Sequence, residues 1–104
     1  MLSMNKMMKQ MQTLQAEMAR VQAELAEARV QATAGGGAVS AVANGQGELQ
    51  SLTISPAAVD PNDLTLLQDL VVAAVNEVQR NARALAEERM KAVTGGLQIP
   101  GLTV

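Results

Sequence analysis

The run Val39-Ser40-Ala41-Val42-Ala43-Asn44-Gly45-Gln46-Gly47-Glu48-Leu49-Gln50-Ser51-Leu52-Thr53-Ile54-Ser55-Pro56 holds two short extended segments on either side of Asn44-Gly45. Asn-Gly between such segments signals a β-hairpin, because both central residues of a type I′ turn need φ > 0. A two-residue loop pairs Ala43 with Gln46 and places Val39, Ala41 and Ala43 on the same face as Leu52 and Ile54. A third short strand near Val30–Ala34 can join this pair. A sheet of that size does not stand alone and needs helices on its apolar face.

Both flanks supply one. Upstream, apolar residues recur at Met4, Met7, Met11, Leu14, Met18, Val21, Leu25 and Ala28, in alternating steps of three and four. This is a heptad seam, and it predicts a helix over about residues 3–30 packed lengthwise against another helix. Such a helix is roughly 42 Å long, whereas a compact chain of this size has a radius of gyration of about 13 Å. One end therefore projects from the core or lies along a partner. Gly35-Gly36-Gly37 then breaks the helical pattern. The triplet lacks the Gly-Lys-Ser/Thr of a phosphate-binding loop and reads as a flexible connection.

Downstream, Asp60 reads as an N-cap, Pro61 as the first helical residue and Asp63 as the third, with Val59 and Leu64 as a hydrophobic staple. The second helix is expected over about 61–94. Its apolar face is wide through Leu64, Leu67, Leu70, Val71, Ala74, Val75 and Val78, then narrows through Ala82, Leu85, Ala86, Met90 and Val93. Gly95-Gly96 is expected to end it, leaving 95–104 as a tail. The expected fold is α+β, in the order α-β-β-β-α, as one domain over 1–104.

Composition limits the chemistry. The 104 residues include no Cys, His, Phe, Trp or Tyr. That removes thiol and Ser-His nucleophiles, disulfides and the common zinc and haem ligands. Asp60 and Asp63 are accounted for by capping and Glu87 and Glu88 lie on a solvated helix, so neither an enzyme nor a metal or other cofactor is expected. No signal segment and no run of 18 apolar residues is visible, so a soluble cytoplasmic location without membrane contact is expected.

A core without aromatics buries little area per residue, which makes self-association a physical expectation. Its centre is expected on the sheet and the first half of the second helix, at Leu52, Ile54, Leu66, Leu70 and Ala73.

Net charge is −2, unevenly spread. Residues 1–16 carry Lys6 and Lys9 and no acid. Residues 17–79 carry Arg20 and Arg29 against eight acids, and residues 80–104 carry four basic residues against two acidic ones. On a helix Lys6, Lys9 and Arg20 fall within about 60° of one another, opposite the Met/Leu seam, while Arg80, Arg83 and Lys91 span about 80° on the second helix with Arg89 on its other side. The bland alternative is a solvated face with i,i+4 pairs such as Arg83–Glu87 and Glu87–Lys91.

Asp69-Leu70-Val71-Val72-Ala73-Ala74-Val75-Asn76 resembles the DLVxAAxN block of the YbaB/EbfC nucleoid-associated proteins. Met7-Met8-Lys9-Gln10-Met11-Gln12, the Val39…Asn44-Gly45 hairpin, Leu52-Thr53-Ile54-Ser55-Pro56, Met90…Val93-Thr94-Gly95-Gly96-Leu97 and Pro100-Gly101-Leu102 follow in that family's order. The resemblance spans nearly the whole chain and rests on the joint order and spacing of these pieces. It implies a cytoplasmic, tweezer-like homodimer that binds double-stranded DNA with little sequence specificity and alters nucleoid organisation. Hairpin positions that are often charged in the family are uncharged here, at Ser40, Val42, Gln50 and Ser51. The DNA surface is therefore expected on the helices, at Lys6, Lys9, Arg20, Arg80, Arg83 and Lys91.

Without aromatics there is no base-stacking platform, which disfavours single strands. No small-molecule substrate is indicated. The competing reading is a helical adaptor that binds another protein through the Met/Leu seam, its acidic middle repelling nucleic acid.

Overall fold

The computed structural model describes residues 3–97. Helix α1 spans Met4–Glu27, strands β1, β2 and β3 span Arg29–Ala34, Val39–Asn44 and Leu49–Ile54, a single 3-10 turn covers Pro56–Ala58, and helix α2 spans Leu64–Leu97. The expected α-β-β-β-α order holds. The molecule measures 73 × 26 × 16 Å with a radius of gyration of 20.0 Å. That is well above the ~13 Å of a compact chain of similar length, so an arm does project.

The strands form an antiparallel meander in the order β1-β2-β3. Gly35, Gly36 and Gly37 all have positive φ, between 63° and 96°, and close the β1–β2 turn. Three successive residues adopt left-handed backbone at little cost only as glycine, which has no Cβ to clash. The triplet is thus a defined hairpin turn where a flexible connection was expected.

The second hairpin keeps the expected face but not the expected register. Val39 pairs with Ile54 and Ala41 with Leu52, and a bulge at Val42/Ala43 brings Ala43 opposite Leu49. The cause lies in the loop. Asn44 Oδ1 accepts the backbone N–H of both Gln46 and Glu48 at 3.0 Å, and Gly47, with φ 87°, donates to the Asn44 carbonyl. An Asx turn captures the chain beyond Gly45, so the two-residue type I′ turn does not form.

Val39, Ala41 and Ala43 lie fully buried beneath Ala74 and Val78 of α2, with Ala32 beside them. Alanines on both layers let the helix approach the sheet closely. The helix packs on β1 and β2. It leaves β3 uncovered, and every β3 residue is exposed.

The start of α2 departs from expectation. Asp60 accepts from Asn62 N–H through its side chain and from Asp63 N–H through its carbonyl, so Asp60-Pro61-Asn62-Asp63 is a turn. The cap is Asp63, whose Oδ1 accepts the Leu66 N–H at 3.2 Å. Asp63→Ala is expected to cost about 1 kcal/mol and Asp60→Ala less, measured by urea titration. At the other end the helix runs through Gly95-Gly96 to Leu97, beyond the expected stop. The tail positions 98–104 lie outside the described residues.

Helix α1 is capped by Ser3, whose Oγ accepts the Lys6 N–H. It ends at Glu27, short of the expected 30, because Arg29 and Val30 join β1.

Candidate nucleic-acid interface

Only the C-terminal half of the α1 seam is packed. Val21 and Leu25 are buried with Val93, and Leu14, Leu85, Ala86 and Met90 close around them. Leu25 shares a cleft with Arg83 and Ala86, whereas Val21 shares one with Arg89, Ala92 and Val93. Moving back along α1 therefore moves forward along α2. The two helices form an antiparallel arm leading away from the sheet. Met4, Met7 and Met11 continue the seam beyond this contact and, with Met8 next to Met7, remain more than half exposed.

The arm is anchored to the hairpin at one point. Gly45 N–H donates to the Leu25 carbonyl at 2.7 Å, and the Gln46 side chain donates to the Gln22 carbonyl at 3.3 Å. The Leu25 carbonyl lies in the last turn of α1, which ends at Glu27, where carbonyls outnumber intrahelical donors.

All six expected phosphate-contacting residues are solvent-exposed, yet they differ in their partners. Arg20 is held by Glu17 at 2.7 Å and Glu24 at 2.6 Å. Its hydrogen bond and charge attraction hold the Glu17 carboxyl below its ordinary value, and the same contact raises Arg20. A depressed carboxyl adds stability above its unfolded pKa and loses it as pH falls through the folded one, so this support fades under acid. Glu24 also meets Arg89 at 3.5 Å, which joins α1 to α2. Two arginines and two glutamates thus close on one another with no net charge.

Arg80 is paired with Glu77 at 2.6 Å. Among the described residues, Lys6, Lys9, Arg83 and Lys91 have no ion-pair partner, and the Arg83–Glu87 and Glu87–Lys91 pairs do not form. Arg83 stands at the root of the arm, beside Gln22, Gln46 and Gly47. Lys91 lies about 12 Å further out by helical rise, and Lys6 and Lys9 sit on the projecting turns of α1.

The expected self-association residues do not share one environment. Leu52 and Ile54 are exposed on the helix-facing side of the sheet, past the edge of α2. Leu66 and Ala73 are exposed on α2. Leu70 is half-buried and packs onto the sheet cluster. Leu49, Leu64 and Val72 extend the uncovered apolar surface beyond the expected residues.

No described helix is long and apolar enough to cross a membrane. Among the described residues there is no cluster of three or more acidic side chains placed to hold a metal ion.

A solved structure of an uncharacterised Helicobacter pylori protein superposes with a TM-score of 0.70 at 21% identity, covering 93% of this chain and 98% of that one. This shows the fold is a recurring one. A protein from Pelotomaculum thermopropionicum named as nucleoid-associated is 50% identical over 100 residues, 96% of this chain and 95% of its own. Another so named, from Moorella thermoacetica, is 52% identical over 99 residues, 95% of each chain. The model of the YbaB/EbfC DNA-binding family matches residues 1–97, and with that match over the sheet and both helices the chain belongs to the YbaB/EbfC DNA-binding family.

Proposed function

We propose that this protein is a nucleoid-associated protein that binds duplex DNA with little sequence specificity, through the basic arms of a homodimer. The observation that carries this reading is the set of exposed cations along one arm that have no ion-pair partner among the described residues: Lys6, Lys9, Arg83 and Lys91. Duplex DNA carries one phosphate charge per ≈ 1.7 Å of its axis, so a row of separated cations on a straight support meets phosphates in any sequence. Phosphate contacts position a protein but carry no sequence information. Arg80 can join the set, since its exposed pair with Glu77 is worth only about 0.2–1 kcal/mol and a phosphate competes with it. Arg20 is left out, because its two carboxylates already neutralise it.

Self-association follows from the uncovered apolar surface. Leu52, Ile54 and Leu66 are each more than a third exposed on one monomer, with Ala73 exposed nearby. A second copy set against β3 and the first half of α2 would cover them, and Leu70 would support that surface from beneath. Two copies then present two arms. Sedimentation equilibrium is expected to return twice the chain mass at micromolar concentration; a monomer would remove the paired-arm reading.

The test of the binding itself is fluorescence anisotropy of a labelled random-sequence duplex over a series of salt concentrations. The affinity is expected to fall with a log–log slope of roughly −4 to −7, for about five to eight phosphate contacts by the pair. A matched single strand should bind less tightly, since no aromatic ring is available for stacking. A salt-independent affinity would overturn the phosphate reading.

A further inference from the structure

Asn44-Gly45 is chemically the most labile kind of dipeptide in a protein chain, because glycine leaves its backbone nitrogen sterically free to attack the preceding side-chain amide. Here packing imposes both residues. Asn44 is buried and organises the loop, accepting from Gln46 and Glu48 N–H at 3.0 Å each and donating through Nδ2 to Glu48 Oε1 at 3.1 Å. The two backbone donors fix which end of the amide is oxygen. Gly45 lies against Leu25 so tightly that a Cβ would fall 2.8 Å from the Leu25 carbonyl oxygen.

We propose that Asn44 is a latent deamidation site, held dormant by the fold and released when the hairpin parts from the end of α1. In the reaction the Gly45 nitrogen loses its proton and attacks Asn44 Cγ. The bond to the side-chain nitrogen breaks, ammonia leaves, and a five-membered imide closes. Water then opens the imide at either carbonyl to leave aspartate or isoaspartate, so one water is consumed and one ammonia released.

The folded geometry opposes the first step at both atoms. The attacking nitrogen is committed to the Leu25 carbonyl by its 2.7 Å hydrogen bond, and the side-chain amide is tethered by three hydrogen bonds pointing away along the loop. Reaction therefore waits on local opening.

The product would not return to the same place. Aspartate sets a carboxylate against Glu48 where an N–H donor stood, and isoaspartate lengthens the main chain at position 44, immediately before the glycine that docks on Leu25. Either change loosens the anchor between hairpin and arm, so an opened molecule is marked irreversibly.

The test is to incubate the full-length protein at mildly alkaline pH, with and without denaturing urea, and to follow amide-to-acid conversion by tandem mass spectrometry. Asn62 and Asn76, which no glycine follows, serve as internal references. Conversion at Asn44 is expected to be roughly tenfold or more slower in the folded protein than in urea. Equal rates would overturn the proposal. Glu48→Gln leaves the loop an acceptor and should retain protection, whereas Glu48→Ala, at an exposed position, should speed conversion in the folded state and leave the urea rate unchanged. An Asn44→Asp variant should unfold at lower urea than wild type and regain part of the loss when combined with Glu48→Gln. Wild-type stability in Asn44→Asp would overturn the claim that the product loosens the anchor.

Discussion

Gly45→Ala is expected to cost about 2–4 kcal/mol of stability, the effect of forcing a methyl group into a closed contact and breaking a hydrogen bond beside it. The new Cβ would stand 2.8 Å from Leu25 Cδ2, 2.8 Å from the Leu25 carbonyl oxygen and 3.0 Å from Leu25 Cα. The side-chain atom can swing aside, but the other two are backbone. They move only if the end of α1 lifts from the hairpin, which also gives up the 2.7 Å Gly45–Leu25 hydrogen bond and disturbs Leu25, one of the largest fully buried side chains.

A thermal midpoint lower by roughly 10–25 °C follows for a chain of this length. Gly36→Ala is the internal comparison. It meets no atom within 4 Å but holds φ at +69°, so its cost is the left-handed backbone alone, about 1–2 kcal/mol. If alanine at Gly45 were the milder of the two, the close docking of hairpin on helix would be wrong.

The same loop shows where reading from sequence succeeds and where it stops. Alternation along a strand is local, so the face shared by Val39, Ala41, Leu52 and Ile54 is legible from spacing alone. Register depends on which residues close the loop. Asn44 can serve a turn either by tolerating positive φ or through its side chain, and here the side chain wins by collecting two N–H groups further on. The start of α2 poses the same kind of ambiguity: Asp60 and Asp63 both suit a cap, and Pro61 suits both a first helical turn and the second position of a β-turn. The structure uses Asp60 for the turn and Asp63 for the helix.

The basic residues were legible as a face but not as free or engaged groups. Glu17, Arg20 and Glu24 stand at i,i+3 and i,i+4 spacing, and Glu77 and Arg80 at i,i+3, so those pairs could have been found by spacing. The Arg89–Glu24 contact joins residues 65 apart in sequence. It depends on α1 and α2 lying antiparallel, which no local pattern encodes. The Met seam likewise states that a helix has an apolar side without stating how far a partner follows it. Here α2 packs against Leu14, Val21 and Leu25, while Met18 and the run from Met4 to Met11 stay exposed.

Neutralising the unpaired cations is expected to have the largest effect on binding. In the variant Lys6→Gln, Lys9→Gln, Arg83→Gln and Lys91→Gln, duplex affinity at 0.1 M salt should fall by about 100- to 1000-fold, and the salt slope should flatten as contacts are lost. All four side chains are exposed and none has an ion-pair partner among the described residues. Their loss should therefore leave folding within about 0.5 kcal/mol of wild type.

Position along the arm separates the contributions. Lys6 and Lys9 lie on the projecting turns of α1, while Arg83 lies at the arm's root. A duplex held along the arm loses affinity from both pairs, and one held only at the tips loses it from the lysines alone. Arg20→Gln supplies the control for charge as such. It removes one positive charge from the same helix, but from a group neutralised by Glu17 and Glu24, so the salt slope should stay close to that of wild type. A loss for Arg20→Gln equal to that for Lys9→Gln would show that overall charge, not the unpaired groups on the arm, carries the binding.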